Sequence, residues 1–207
     1  MPQRTVGILI FDDVEVLDFC GPFEVFATTI MPGADPLQGE EPPFRVFTIA
    51  ERPATITCRG GLLVQPHYTL EDHPPLDILI VPGGYGTRRE VNNPRLLDWI
   101  ARQSRSTELT TSVCTGAFLL AARGLLDGMP ATTHWASIDR LRTTHPAVTV
   151  RDNVRYVDNG HILTSAGVSA GIDMSLHIVA RLLGHEVADN TARRMEYVGE
   201  WTVDGRR

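Results

Sequence analysis

Cys114 stands in the run Leu109-Thr110-Thr111-Ser112-Val113-Cys114-Thr115-Gly116-Ala117-Phe118-Leu119-Leu120, with β-formers before it and helix-formers after it. The pattern predicts a strand, a sharp turn and a helix, with a thiol at the turn. A nucleophile placed there sits over the carboxyl end of a strand, beside the unpaired amides of a helix N-terminus. The helix dipole favours thiolate and the amides can hold an oxyanion, so the expectation is a thiol pKa below the roughly 8.5 of free cysteine. Such a nucleophile needs an acid–base partner and a place for negative charge. Asp18 offers the carboxyl group; Gly83, Gly84 and Thr115 offer oxyanion or substrate-binding groups. Each also has a structural reading: Asp18 as a helix cap, Gly83-Gly84 as a tight turn, Thr115 as a helix-end hydroxyl, Cys114 as a small buried residue. Glu24 and His134 read as structural.

The elements that must position these groups alternate. Residues 5–11 (TVGILIF) form an apolar run, expected as a strand buried on both faces. A helix is expected from near Gly21 to about Ile30, with Pro22 in its first turn. Residues 32–43, rich in proline, glycine and acidic groups, read as a mobile surface loop. Strands are expected at 44–50 and 76–81, a hairpin at 56–64 around Arg59-Gly60-Gly61, and a helix at 93–102. Beyond Cys114, its helix ends near Gly124. A short strand at 131–135, a helix at 138–145, and strands at 148–150, 154–157 and 161–165 follow, the last two turning at Asp158-Asn159-Gly160. Helices at 172–183 and from Glu186 to Met195 close the chain. The alternation predicts a mostly parallel central sheet with helices on both faces. Functional groups then gather where strands end.

Composition bounds the function. At 207 residues the chain is one domain or a tight pair; 43% hydrophobic and 21% charged residues are ordinary for a soluble globular protein. The net charge of −6 argues against general nucleic-acid binding. Three cysteines, an odd number without a CxxC, argue against a disulfide framework and for a reducing cytoplasm. No apolar run is long enough for a membrane span, and Asp12-Asp13 follows the first one at once, unlike a signal peptide. The histidines show no HExxH spacing, so no metal is expected, and Gly83-Gly84-Tyr85-Gly86 is neither a Walker loop nor a GxGxxG, so no nucleotide cofactor is expected.

Several motifs together resemble the DJ-1/PfpI superfamily, related to class I glutamine amidotransferases. They are Leu17-Asp18-Phe19-Cys20-Gly21-Pro22-Phe23-Glu24-Val25, Asp77-Ile78-Leu79-Ile80-Val81-Pro82-Gly83-Gly84, Ser112-Val113-Cys114-Thr115-Gly116, Ala131-Thr132-Thr133-His134-Trp135 and Thr164-Ser165-Ala166-Gly167-Val168-Ser169-Ala170-Gly171-Ile172-Asp173. The resemblance spans roughly Thr5 to Tyr197, so 1–207 reads as a single domain of this kind. It implies a flavodoxin-like three-layer sandwich, usually a homodimer, with the nucleophilic cysteine at the elbow. Within the superfamily the chain is most similar to isonitrile hydratases and to the amidotransferase-like domain of certain AraC-type regulators. In the hydratases the motif aspartate is catalytic, which falls on Asp18; the position after the nucleophile falls on Thr115. DJ-1-like members usually carry glutamate at the Asp18 position, so aspartate favours the hydratase branch. No histidine–glutamate couple pairs with Cys114 at the usual downstream spacing, which argues against glutamine hydrolysis.

The resemblance implies hydration of a small isonitrile to an N-substituted formamide through a thioimidate on Cys114, with Asp18 managing protons. Two other readings stand beside it: glyoxalase-like conversion of methylglyoxal, and a non-catalytic redox or stress sensor. The regulators carry a DNA-binding region after this domain; this sequence ends within about ten residues of its last expected helix, so direct DNA regulation is not expected. The pocket is expected to have apolar walls from Phe19, Phe23, Val113 and Val168, with Asp18 the only charged side chain beside Cys114 and no anchor for an anionic substrate. Cys20 stands two residues beyond the aspartate and could line that pocket.

Overall fold

The computed structural model describes residues 3–34 and 41–199. Its strands and helices run, in chain order, β1 (Arg4–Leu9), α1 (Val16–Thr28), β2 (Phe44–Ala50), β3 (Ile56–Thr57), β4 (Leu63–Val64), β5 (Tyr68–Thr69), β6 (Ile78–Val81), α2 (Thr87–Glu90), α3 (Pro94–Ser104), β7 (Leu109–Val113), α4 (Ala117–Ala121), β8 (Pro130–Ala131), α5 (Ile138–Thr144), β9 (Thr149–Val150), β10 (Tyr156–Asp158), β11 (Ile162–Ser165), α6 (Ala170–Leu183) and α7 (His185–Arg194).

Seven strands form one sheet in the order β10-β11-β7-β6-β1-β2-β5. Every pairing is parallel except β10 with β11, the hairpin that turns at Asp158-Asn159-Gly160. Central strands β6 and β7 are buried along their whole length, β6 as the continuous apolar run expected when both faces are covered, β7 with Thr110, Thr111 and Ser112 buried in it. Helices α1, α6 and α7 pack together on one face; α2, α3 and α4 cover the other. This is the three-layer α/β arrangement expected from the alternation. The chain winds from β1 outward to β2, then returns to place β6 on the other side of β1. That reversal puts a crevice at the carboxyl ends of β1 and β6, where open sheets bind ligands.

Two expectations change. Helix α1 begins at Val16, not near Gly21, so Pro22 lies inside it. Proline there removes one backbone hydrogen bond. The helix persists because tertiary burial outweighs that loss: Asp18, Phe19, Gly21, Pro22, Val25 and Phe26 all face the interior. The segment expected as a strand at 131–135 pairs only at Pro130–Ala131, with β9, before a 3-10 turn begins at Trp135. Half of the loop expected at 32–43 falls on residues 35–40, outside the described residues.

Candidate active site

Strand β7 delivers its last residue, Val113, in extended conformation, and Cys114 then turns sharply at φ 57°. A left-handed backbone costs a non-glycine residue roughly 1–2 kcal/mol. It persists because both peptide groups of Cys114 are held. Its N–H donates to Ala166 O (3.3 Å), and its carbonyl accepts from Thr133 Oγ1 (2.7 Å). The 3-10 turn Cys114–Gly116 then feeds α4. The elbow read from the sequence is present, and its support comes from the residues just after β8 and β11, two elements distant along the chain.

Asp18 lies in the first turn of α1 and is completely buried. Its Oδ2 accepts the Gly83 N–H (3.0 Å); Oδ1 has no formed hydrogen bond. The carboxyl group and the Cys114 thiol act electrostatically on one another. Burial pushes the carboxyl up to about 7, against the pull of the Gly83 amide and the thiol. Burial, and then the Asp18 charge, raise the Cys114 thiol, outweighing the Thr115 amide and hydroxyl that lower it. The sequence-based expectation of a thiol below 8.5 is therefore reversed. A helix N-terminus does favour thiolate, but this sulfur is 95% shielded from water and shares its chamber with a carboxyl group. The two groups titrate as a coupled pair.

Gly83 makes this proximity possible. A Cβ at that position would lie 2.5 Å from Thr115 N and 2.8 Å from Asp18 Oδ2. Gly83 and Gly84 do not leave their amides free: the first binds Asp18, the second donates to Thr115 Oγ1 (3.1 Å). Thr87 Oγ1 lies 3.1 Å from the same Thr115 oxygen. The glycine turn thus positions the aspartate and the threonine, and the amide facing the sulfur is that of Thr115.

The expected pocket walls are partly elsewhere. Val113 packs against Gly171 of α6, Phe19 is core, and the Phe23 ring stacks on His67 (6.4 Å). Val168 is half-buried and Glu24 is exposed. Cys20 and Cys58 act electrostatically on one another, and burial raises both thiols. Asp18 is also not the only charge. Arg59, from the β3–β4 hairpin, acts on Asp18, Cys114 and His134. It pairs with Glu15 (2.5 Å), just ahead of α1, and stacks on Tyr85 (4.5 Å).

His134 comes closer than its structural reading implied. A Cβ on Gly167 would touch both the His134 ring, 2.3 Å from Cδ2, and Cys114 Sγ at 3.0 Å. Burial holds this imidazole below its usual range. Its Nδ1 accepts the Ala136 N–H (3.3 Å), which leaves the proton on Nε2. Glu15, Arg59 and His134 carried no mutual spacing in the sequence; only the fold assembles them. Among the described residues no three of His, Cys, Asp or Glu cluster as a metal site, and no helix is long and apolar enough to cross a membrane.

A parallel sandwich with a cysteine elbow facing a buried carboxyl group defines a class, and the chain belongs to it: the DJ-1/PfpI family model matches residues 4–181. Among particular relatives, an isonitrile hydratase of Pseudomonas putida is 36% identical over 192 residues, 93% of this chain and 78% of that protein. The transcriptional regulator GbdR of Pseudomonas aeruginosa is 28% identical over 89% of this chain, which spans only 48% of the regulator. A ThiJ/PfpI family structure from Pseudomonas syringae superposes with TM-score 0.83 at 28% identity, covering 97% of this chain and 77% of that one. Drosophila melanogaster DJ-1beta, at 18% identity and TM-score 0.78 over 96% of this chain and all of that one, shares the fold.

Proposed function

We propose that the protein is a cysteine-dependent hydratase that converts a small isonitrile to its N-substituted formamide. The observation that carries this reading is the buried Asp18 carboxyl group, held by the Gly83 amide beside the Cys114 elbow and acting electrostatically on its thiol. Asp18 accepts the thiol proton as Sγ attacks the terminal isonitrile carbon. It then returns that proton to the same carbon, giving a thioimidate (R–N=CH–S). Asp18 next takes a proton from water, the oxygen adds to the thioimidate carbon, and the nitrogen is protonated. The C–S bond breaks, releasing R–NH–CHO and restoring the thiol. Water is the net reactant consumed, so no cofactor enters the balance. Thr115, through its amide and hydroxyl, steadies the sulfur, and Gly83 and Gly84 hold Asp18 and Thr115 in register.

The redox-sensor reading is disfavoured by burial. An oxidant-sensing thiol needs thiolate character and access, and Cys114 is 5% exposed with its thiol pushed up. The 36% identity to a hydratase supports the enzymatic reading. We place the chain in a reducing cytoplasm, since all three cysteines are free, and read it as a homodimer of one-domain chains. The deciding assay supplies an alkyl or aryl isonitrile and methylglyoxal to one preparation, with Cys114→Ala as control. Formamide that disappears in the variant supports the proposal. Lactate without formamide transfers the protein to the glyoxalase reading.

A further inference from the structure

Behind Thr115, on the α2–α4–α5 side, lies a second cleft of about 350 Å³. Its lining combines Thr87, Val91 and Phe118 with three basic side chains, Arg88, Arg140 and His145, and no carboxylate. The Arg140 guanidinium carbon lies over the Phe118 ring, 4.0 Å from its centroid, and the Arg140 Nε is buried without an acceptor. Neither Arg88 nor Arg140 has an acidic partner among the described residues. What sets this pair apart is that both guanidinium groups line one cleft and that the Arg140 Nε is buried there without an acceptor. Burial, and then the Arg88 charge, pull Arg140 below its usual range. His145 is also held down by burial, opposed only by Asp127 outside the cleft.

Guanidinium groups bind carboxylates through paired, charge-assisted hydrogen bonds, and an apolar floor beside them selects an organic body. The volume lies at the small end of ligand sites, roughly 300–1,000 Å³. We propose that this cleft binds a small organic anion, a carboxylate with an aromatic or apolar body, its charge between Arg88 and Arg140 and its body on Phe118 and Val91. The site is separate from the catalytic chamber yet adjoins it: Thr87 lines the cleft and reaches Thr115.

Titration calorimetry on the full chain with benzoate, at fixed ionic strength, tests this. Arg140→Met keeps the packing on Phe118 and removes the charge; it is expected to weaken benzoate at least tenfold. Ala122→Leu fills the cleft from another wall with both cations intact, and is expected to weaken it likewise. Acetate should bind at least tenfold more weakly than benzoate, and Cys114→Ala should bind benzoate as the wild type does. Benzoate unaffected by Ala122→Leu, or lost in Cys114→Ala, overturns the proposal. So does inorganic phosphate binding as tightly as benzoate, or self-association that Arg140→Met abolishes, which would give the cleft to a second copy. If Arg140→Met fails to fold, Ala122→Leu and the ligand series decide.

Discussion

A carboxyl group held at about 7 beside a thiol held high gives the site a pH dependence with a definite sign. In the proposed reaction Asp18 takes up the thiol proton only when ionised, so kcat/KM for isonitrile should rise with pH through about 7. In Asp18→Asn that limb should vanish and turnover should fall roughly 10²-fold or more. Stability should move the other way. The folded carboxyl titrates above its unfolded value of 3.8, so its stabilising contribution is complete below that value and is lost as pH rises through about 7. Asparagine carries no such charge and can still accept from Gly83. Asp18→Asn should therefore melt higher than wild type at pH 8, by several degrees, and gain little at pH 4. Scanning calorimetry at the two pH values checks this. Alkylation of Cys114 should titrate above the roughly 8.5 of free cysteine, and its midpoint should drop in Asp18→Asn, where the neighbouring charge is gone. An unchanged midpoint would separate the two groups.

Between elements, the close approach of the β6 turn to the elbow sets the tolerances. Gly83→Ala would force its methyl into Thr115 N and Asp18 Oδ2, so one of them must shift. A cost of about 1–3 kcal/mol in stability is expected, together with at least a tenfold loss of kcat, because proton transfer fails beyond hydrogen-bond distance. Denaturant unfolding and steady-state kinetics on one preparation measure both. At this scale the sequence was readable where one signal dominated. The apolar runs of β1 and β6, the alternation of β2 and the β-formers of β7 fell where expected, as did the hairpin around Arg59-Gly60-Gly61. The start of α1 was not readable, because Pro22 gives a strong local signal for a first turn, and only tertiary burial of Asp18 and Phe19 overrides it. Nor was the Glu15–Arg59 pair. The two residues stand 44 apart, and contact depends on how the β3–β4 hairpin folds over the loop before α1. Thiol chemistry was misjudged for a related reason: a helix terminus is visible in a sequence, whereas the depth at which it is buried is not.

For the whole molecule, the order of strands makes the site a junction. Asp18 follows β1, Gly83 follows β6 and Cys114 follows β7, three neighbouring strands whose carboxyl ends open to the same side. Arg59 stacks on Tyr85 and acts electrostatically on Asp18 and Cys114, so the site holds a second charge where Asp18 was expected to be the only one. Leu17, Leu62 and Leu63 are exposed apolar residues on α1 and the β3–β4 hairpin. We expect a homodimer at micromolar concentration by sedimentation equilibrium; a stable monomer there refutes that assembly.

The contacts that hold Cys114 come from far along the chain. Asp18 meets Gly83 across 65 residues, Thr133 reaches back 19 residues to the Cys114 carbonyl, and Ala166 and Gly167 close the last side. Long-range contacts of this kind form late, because loop closure must come first. A chain still on the ribosome therefore displays an unshielded cysteine with ordinary reactivity until residue 167 has emerged and β11 has docked beside β7. The thiol is at greatest chemical risk before the chain has folded, and its maturation is the act of hiding it.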